Sequence, residues 1–422
     1  MRCKLLGTLL LFLSVSAFGA EWENKIWVSS LTFLENGLPA AKGAENNFTN
    51  TSNYLFLSSS AMLTQSLGAE GIFSAGLRYF STDFESVSET NFSVNQLAAV
   101  FKYGGVSLKA GRIFYGSQNT LLPYYGLYDD YYGAISSALD GAYAAAELGK
   151  YFNINAVYGK ETESNFSEGD RTLAGAVLSF RPAAGVSLSP FIFDYRRDDK
   201  YLMYKRELVL YGGYFDWNID GRSDLYISYA ANGGQDTYYG NMVYGSNESY
   251  GGSALLVKFN TENEKRGVYY KLHFLYLNCS GTDIGKVSFK SVHPYIYLGS
   301  IFTGANLIQR AGVAGAFSRY YAGSADNIRA YNMGASLSPA FAKFVKINFD
   351  VYSYSTADFT LKNRDIGGEI DAGLAVTPFK NLDLSAVYAR FYPGQGFKDR
   401  YDPRYFDVGN VTQFSFKASL KF

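Results

Sequence analysis

From residue 20 onward the chain alternates. In Val345-Lys-Ile-Asn-Phe-Asp-Val351 every second residue is apolar, and Leu382 to Tyr388 repeats the pattern. Val268 to Tyr276 and Ile366 to Val376 do the same. Period two gives a strand one apolar face and one polar or small face. These segments run to about 9–13 residues, the length at which a tilted strand crosses a bilayer core. Strands of soluble sheets are usually nearer ~5–6 residues.

The connections alternate as well. Short turns are predicted at Tyr103-Gly104-Gly105, Gly149-Lys150, Pro182 to Gly185, Thr261 to Glu264 and Thr377 to Asn381. Longer polar loops fall between them, near residues 34–53, 82–91, 115–138, 161–170, 232–250, 279–288, 354–364 and 392–409. Short turns at one end and long loops at the other are the pattern of a transmembrane barrel. The expected fold is therefore all-β: an antiparallel, up-and-down transmembrane β-barrel of about 18–20 strands with both termini periplasmic. Trp22 to Phe33 and Gln309 to Tyr320 alternate poorly, so eighteen and twenty strands both stand. Lipid offers no hydrogen bonds, so the sheet has to close on itself.

The N-terminus predicts export. Met1-Arg2-Cys3-Lys4 is basic, Leu5 to Val15 is mostly apolar, and Ser16-Ala17-Phe18-Gly19 is rich in small residues. This is the order of a secretory signal, residues 1–19, leaving residues 20–422 as one barrel domain. Removing Arg2 and Lys4 takes the 38 basic residues to 36 against 38 acidic ones, a net charge of −2. Nothing in that balance calls for nucleic acid. Cys279 is then the one cysteine left, so no internal disulfide forms. Tyr 37 and Phe 33 are high counts, and aromatic residues gather where strands should leave the bilayer, as at Tyr79-Phe80 and Tyr151-Phe152. Aromatic girdles at both interfaces are expected.

If the apolar parity meets lipid, the other parity lines the lumen. That places Arg78, Lys102, Lys109, Lys258, Lys271, Lys346 and Lys417 inward, with Glu70, Glu207, Asp224, Asp350, Glu369, Asp371 and Asp383. The signs nearly cancel, which implies weak ion selectivity, or a transverse field if they segregate to opposite walls. His273 and His293 also have inward parity, on strands expected to be hairpin partners around Asp283. Two imidazoles alone make a poor metal site, so no metal and no cofactor is expected. No Gly-x-Ser-x-Gly element sits in a supporting context, and an enzyme is not expected.

Three stretches resemble known families. Thr412, Phe414, Phe416, Ala418, Leu420 and Phe422 share a face, and the chain stops on the aromatic. This resembles the last strand of outer-membrane barrels, and implies that Phe414, Phe416, Leu420 and Phe422 are read by the barrel-assembly machinery. The third long loop, Ser117 to Leu139, keeps Leu121, Leu122, Leu127 and Ile135 among its tyrosines. It resembles the constriction loop of general porins. Folded inward, it would set Asp129 and Asp130 against Arg78, Lys102 or Lys109, with Arg112 at the same constriction; packing on a neighbouring subunit is the alternative. Lys109 to Gly116, followed by Leu139 to Ala142, resembles the Gly-Arg…Asp-Gly stretch of several porin-like families, alginate-export barrels among them, through Gly111-Arg112 and Asp140-Gly141.

Together these imply a passive channel for small hydrophilic solutes or ions, set in outer-membrane lipid, with a homotrimer possible. A channel specific for a saccharide or polysaccharide, and an adhesin or structural barrel acting through its loops, are the alternatives.

Overall fold

A computed structural model describes residues 21–422 apart from 38–39, 42–46, 65–67, 83–86, 131–132, 162–168, 200–203, 239–247, 281–288, 290–295, 299, 305–326, 358–362, 400–403 and 405. The segment expected to be a signal, residues 1–19, lies outside the described residues, as do His293 and Gln309 to Tyr320.

Eighteen strands form one closed antiparallel ring. In chain order they are β1 (Glu21–Asn36), β2 (Asn47–Thr64), β3 (Ala69–Thr82), β4 (Val87–Tyr103), β5 (Val106–Ile113) and β6 (Leu139–Leu148). They continue with β7 (Phe152–Glu161), β8 (Gly169–Ala183), β9 (Val186–Asp199), β10 (Tyr204–Asn218), β11 (Ser223–Tyr238) and β12 (Ser253–Lys265). The last six are β13 (Val268–Cys279), β14 (Ile328–Pro339), β15 (Val345–Thr356), β16 (Asp365–Phe379), β17 (Leu382–Pro393) and β18 (Val411–Lys421). Each strand pairs with its chain neighbours, and β18 closes on β1 from Trp27 opposite Lys421 to Asn36 opposite Thr412. Every strand thus has a partner on both sides, as a lipid environment demands.

The expected strand range of 18–20 resolves to eighteen at one place. The sequence pattern makes the segment near His293, outside the described residues, the hairpin partner of β13. Instead β13 pairs with β14, His273 standing opposite Gly334. Ile296 to Leu298, between those strands, form no ladder, and Ser300–Gly304 is a single π-helical turn. One turn also moves: β12 runs to Lys265, so the reversal into β13 falls at Arg266-Gly267, both at positive φ, and not at Thr261 to Glu264.

The outer face follows from the alternation. Leu97, Ile192, Tyr229, Met333, Leu374 and Phe416 are exposed along their strands. The inner face departs from the simple parity reading. Near the long-loop end both parities are apolar: Leu173, Phe193, Leu208, Leu210, Leu256 and Leu277 point inward and are buried. They are buried because chain segments fold in from the long loops and pack on them. The lumen of the long-loop half therefore carries a packed apolar core, not the uniformly wet wall expected.

One prediction follows from the outer parity. Leu374 faces out at the middle of β16, and Leu374→Arg should cost ~2–4 kcal/mol of folding stability in lipid vesicles. The inward neighbour Asn348, as Asn348→Lys, should cost far less. Urea titration with tryptophan fluorescence separates the two, and equal losses would contradict the assigned faces.

Candidate functional site

The interior is the site to build. At the short-turn end its wall is polar and open. Glu70 pairs with Lys102 at 3.5 Å, and Lys421 Nζ donates to Asp383 at 2.9 Å, with Thr377 Oγ1 donating to the same carboxylate at 2.9 Å. Lys109, Lys346 and Lys417 face inward on β5, β15 and β18, and Lys271 does so on β13 opposite Glu262. A cleft of about 580 Å³ opens here, lined by Lys150, Arg181, Ser187, Asp216, Asn218 and Asp224 among others. Further in, the Lys258 ammonium lies 4.3 Å from the centre of the Tyr226 ring, a cation–π contact that orients it.

Across β13 to β16 the wall turns acidic. His273 Nε2 meets Asp350 Oδ1 at 2.6 Å, and Asn332 Nδ2 donates to the same oxygen at 3.1 Å. Asp350 is thus the described hydrogen-bond partner of His273. Asp371 stands directly beside Asp350 in the β15–β16 register. Glu369 and Asp371 are buried and hold the Ser300–Gly304 turn. Ile301 N and Phe302 N donate to the two oxygens of Glu369 at 2.7 and 2.9 Å. Ser300 gives its amide at 3.0 Å and its hydroxyl at 2.8 Å to Asp371 Oδ2. The Tyr354 hydroxyl donates to Leu298 O at 2.9 Å, and the Phe302 ring stacks on Tyr354 at 4.0 Å. Hydrogen bonds that satisfy every polar group of an incoming turn hold it firmly where water is excluded. These two acids are therefore the anchor of a segment that crosses into the lumen.

The third long loop is the second inward segment. Tyr115 and Tyr125 exchange backbone hydrogen bonds of 2.8 and 2.7 Å. Gly116, at φ 86°, allows this: a Cβ there would lie 2.0 Å from Pro123 O. Leu121 and Tyr125 are fully buried in the inner apolar cluster. Burial, with Tyr143 and Tyr214 close by, pushes the Tyr115 hydroxyl well above its ordinary range. Leu127 packs on the inward pair Tyr54 and Phe56 of β2, and the following Gly133–Ser136 strand lies against β2 and β3. The loop leaves β5 and reaches three strands round the inside of the ring. Asn119 Oδ1 accepts from Tyr297 N at 2.8 Å, tying the two inward segments together. Asp129 and Asp130 lie on the Leu127–Asp130 strand, paired with Gly133–Ser136; their side chains are outside the described residues.

The sequence reading missed a row of arginines. Arg171, Arg197 and Arg206 stand opposite one another on β8, β9 and β10, and Asp236 follows on β11. All face inward beside the long loops. Arg206 makes two bonds of 2.8 Å to Asp236, and Arg171 reaches Glu161 at 3.3 Å. Glu35 on β1 was missed too: buried, it accepts from Asn50 Nδ2 at 3.1 Å and Gln413 Nε2 at 3.3 Å. In an eighteen-strand ring, β9 and β18 are half the circumference apart. The arginine row on β8–β10 thus stands across the barrel from the acids on β16 and β1.

Two expected lumen residues face out. Glu207 stands opposite Arg196 on the outer face and pairs with Lys205 at 2.6 Å. The error came from Leu208 and Leu210, which look lipid-facing but fill the packed interior, while Val209 and Tyr211 are exposed. Arg112 is three residues from the inward Lys109 and takes the opposite face, beside Leu97 and Asp140. Arg78 has inward parity on β3, next to Tyr54 of β2. On β18, Phe414 and Phe416 are exposed outward, Leu420 shares their face, and Phe422 exchanges backbone bonds with Ile26 at 2.8 and 2.9 Å.

No family model matches the chain, and no curated protein matches it in sequence. Solved structures match its fold along nearly its whole length. OccAB2 from Acinetobacter baumannii is 10% identical over 95% of this chain and 98% of that one, with a TM-score of 0.57. OpdQ from Pseudomonas aeruginosa is 12% identical over 95% and 99%, TM-score 0.55. OccK7 (OpdD) from the same organism is 13% identical over 95% and 99%, TM-score 0.55. These structural neighbours are outer-membrane porins. With its closed ring of eighteen antiparallel strands, the chain has the fold of a Gram-negative outer-membrane porin-like β-barrel.

Proposed function

We propose that this protein is an outer-membrane channel through which small hydrophilic solutes and ions pass down their gradients, without catalysis. The observation that carries this is the inner wall: charged and polar side chains of both signs line an eighteen-strand barrel, narrowed by two segments folded in from the long loops. Rings of this strand number leave room for an aqueous path. A purely structural barrel has no need of an inward arginine row opposite buried acids. Polar and charged groups on the inner wall would contact a dipolar or zwitterionic solute as it passes. That favours a channel with some substrate preference over an unselective one.

In this reading the long loops face outward from the cell and the short turns face the periplasm. Phe414, Phe416, Leu420 and Phe422 serve as the signal to the barrel-assembly machinery. Asp129 and Asp130 line the constriction made by the third loop, near Arg78. Lys102 and Lys109, with Lys258, Lys271, Lys346, Asp350 and Asp383, line the path to either side. Glu369 and Asp371 act as anchors of the constricting turn.

Planar-bilayer recording tests the proposal directly. Discrete open steps are expected, and liposome swelling with graded sugars should set the size limit; a silent, folded barrel would favour an adhesin. Asp129→Asn with Asp130→Asn should move the reversal potential toward anions, and an unchanged value would remove these acids from the path. Glu369→Gln with Asp371→Asn should weaken the hold on Ser300–Gly304, at ~1–3 kcal/mol for each amide left poorly paired. The expected readout is larger, noisier conductance. Steps identical to those of the unaltered protein would mean that this turn does not limit the pore.

A further inference from the structure

The short turns carry a row of cations that no acid answers. Lys150 sits at the β6–β7 turn, Arg222 at β10–β11, Lys265 and Arg266 at β12–β13, Lys343 at β14–β15 and Lys380 at β16–β17. All six are exposed, and none forms an ion pair among the described residues. The acids at this end are engaged elsewhere or face the lumen. Glu70 pairs with Lys102, and Asp383 with Lys421. Asp220 accepts from the amides of Arg222 and Ser223 at 2.9 and 2.7 Å. Glu262 takes the Tyr269 hydroxyl on the inner face, and Glu147 and Glu264 have inward parity.

Two contacts turn these cations toward the outside of the ring. Lys150 Nζ lies 4.7 Å from the centre of the exposed Tyr151 ring in the same turn. Arg222 Nη1 donates to Asn263 Oδ1 at 3.3 Å, and Asn263 alternates with the inward Lys258 on β12, as does Lys265. Exposed rings stand at the same tips. Phe341 is 91% exposed and Phe379 71%, beside Lys343 and Lys380, while Tyr103 and Trp217 continue the belt. Rings of this kind are covered at the headgroup level of a bilayer. A cation one or two residues from such a ring then reaches phosphate depth on its long stem.

We propose that the short-turn rim, from β6 round to β17, binds the phosphates of anionic phospholipids and selects them over zwitterionic ones in the leaflet it meets. A zwitterionic headgroup offers each cation a phosphate but brings an ammonium with it, so the net attraction is small. An anionic headgroup brings no opposing charge. The six charges are spread over five turns, so they meet several headgroups at once and need no single pocket. A soluble acidic polymer would answer the cations and leave Phe341 and Phe379 in water. A lipid surface answers both. The proposal rests on the barrel lying in a bilayer and not on what it conducts.

Electron spin resonance of spin-labelled lipids around the full chain in phosphatidylcholine vesicles tests it. Labelled phosphatidylglycerol should be held at the protein surface about threefold to fivefold more strongly than labelled phosphatidylcholine, and about 1 M salt should erase most of that preference. Lys150→Gln, Lys265→Gln, Lys343→Gln and Lys380→Gln together should bring the ratio most of the way to unity. Lys271→Gln with Lys346→Gln, on the inner face, should leave it unchanged. Heat-modifiable mobility shows that each variant is a folded barrel. Equal retention of the two lipids by the unaltered protein would overturn the proposal, as would a preference that survives the four substitutions. Capture of polyglutamate by the rim, with no lipid preference, would also overturn it and make the occupant a soluble acidic polymer. No retained lipid of either kind would remove the bilayer placement itself. Conductance enters none of these outcomes, so they stand apart from the channel reading.

Discussion

Ring closure is the constraint on which the rest of this structure depends. A strand in lipid cannot leave its amides and carbonyls unpaired, because nothing in the hydrocarbon replaces the lost bonds. The seam between β18 and β1, ten residue pairs long, removes the last free edge. Once the ring is closed, each side chain has two options, out or in. The alternation of the sequence is the record of that choice. At the seam the inward Trp27 indole bonds Ser419 of β18, so the two ends of the chain are also joined through side chains.

The interior is organised by what the long loops do. Where they fold in, the wall beneath them becomes apolar and the ring gains a packed core like that of a soluble protein. Polar groups enter that core only with partners. The acids of β16 receive the backbone amides of an incoming turn, and Glu35 is held between Asn50 and Gln413. Toward the short turns no segment enters among the described residues, and the wall keeps charges with open surface around them. Among the described residues, one half of the barrel is packed inside and the other keeps an open, charged wall.

The outer surface has its own logic. Most of it is leucine, isoleucine and aromatic, as lipid requires. The exception is at β5 and β6, where the strands are short and the Arg112–Asp140 pair stands on the outer face. Such a departure from the lipid-facing rule is informative because the bilayer penalises it so heavily.

The sequence by itself determined the class of fold, the run of strands and most of the facing. Period two over long segments such as Val345 to Val351 fixes one lipid face and one inner face, whatever else the chain does. The terminal strand ending at Phe422 and the loop with buried-type residues, Leu121 and Leu127, were legible for the same reason: apolar side chains must find cover. Only the tertiary structure decided which apolar residues find it inside. Leu208 and Val209 are equally apolar in the sequence, and which one meets lipid depends on whether a distant loop fills the lumen beside β10. That choice put Glu207 outside and the arginine row inside. It also decided that β13 pairs directly with β14 and that the Ser300–Gly304 turn between them reaches inward. Long-range pairing of Ser300, Ile301 and Phe302 with acids some seventy residues later leaves no local pattern to read.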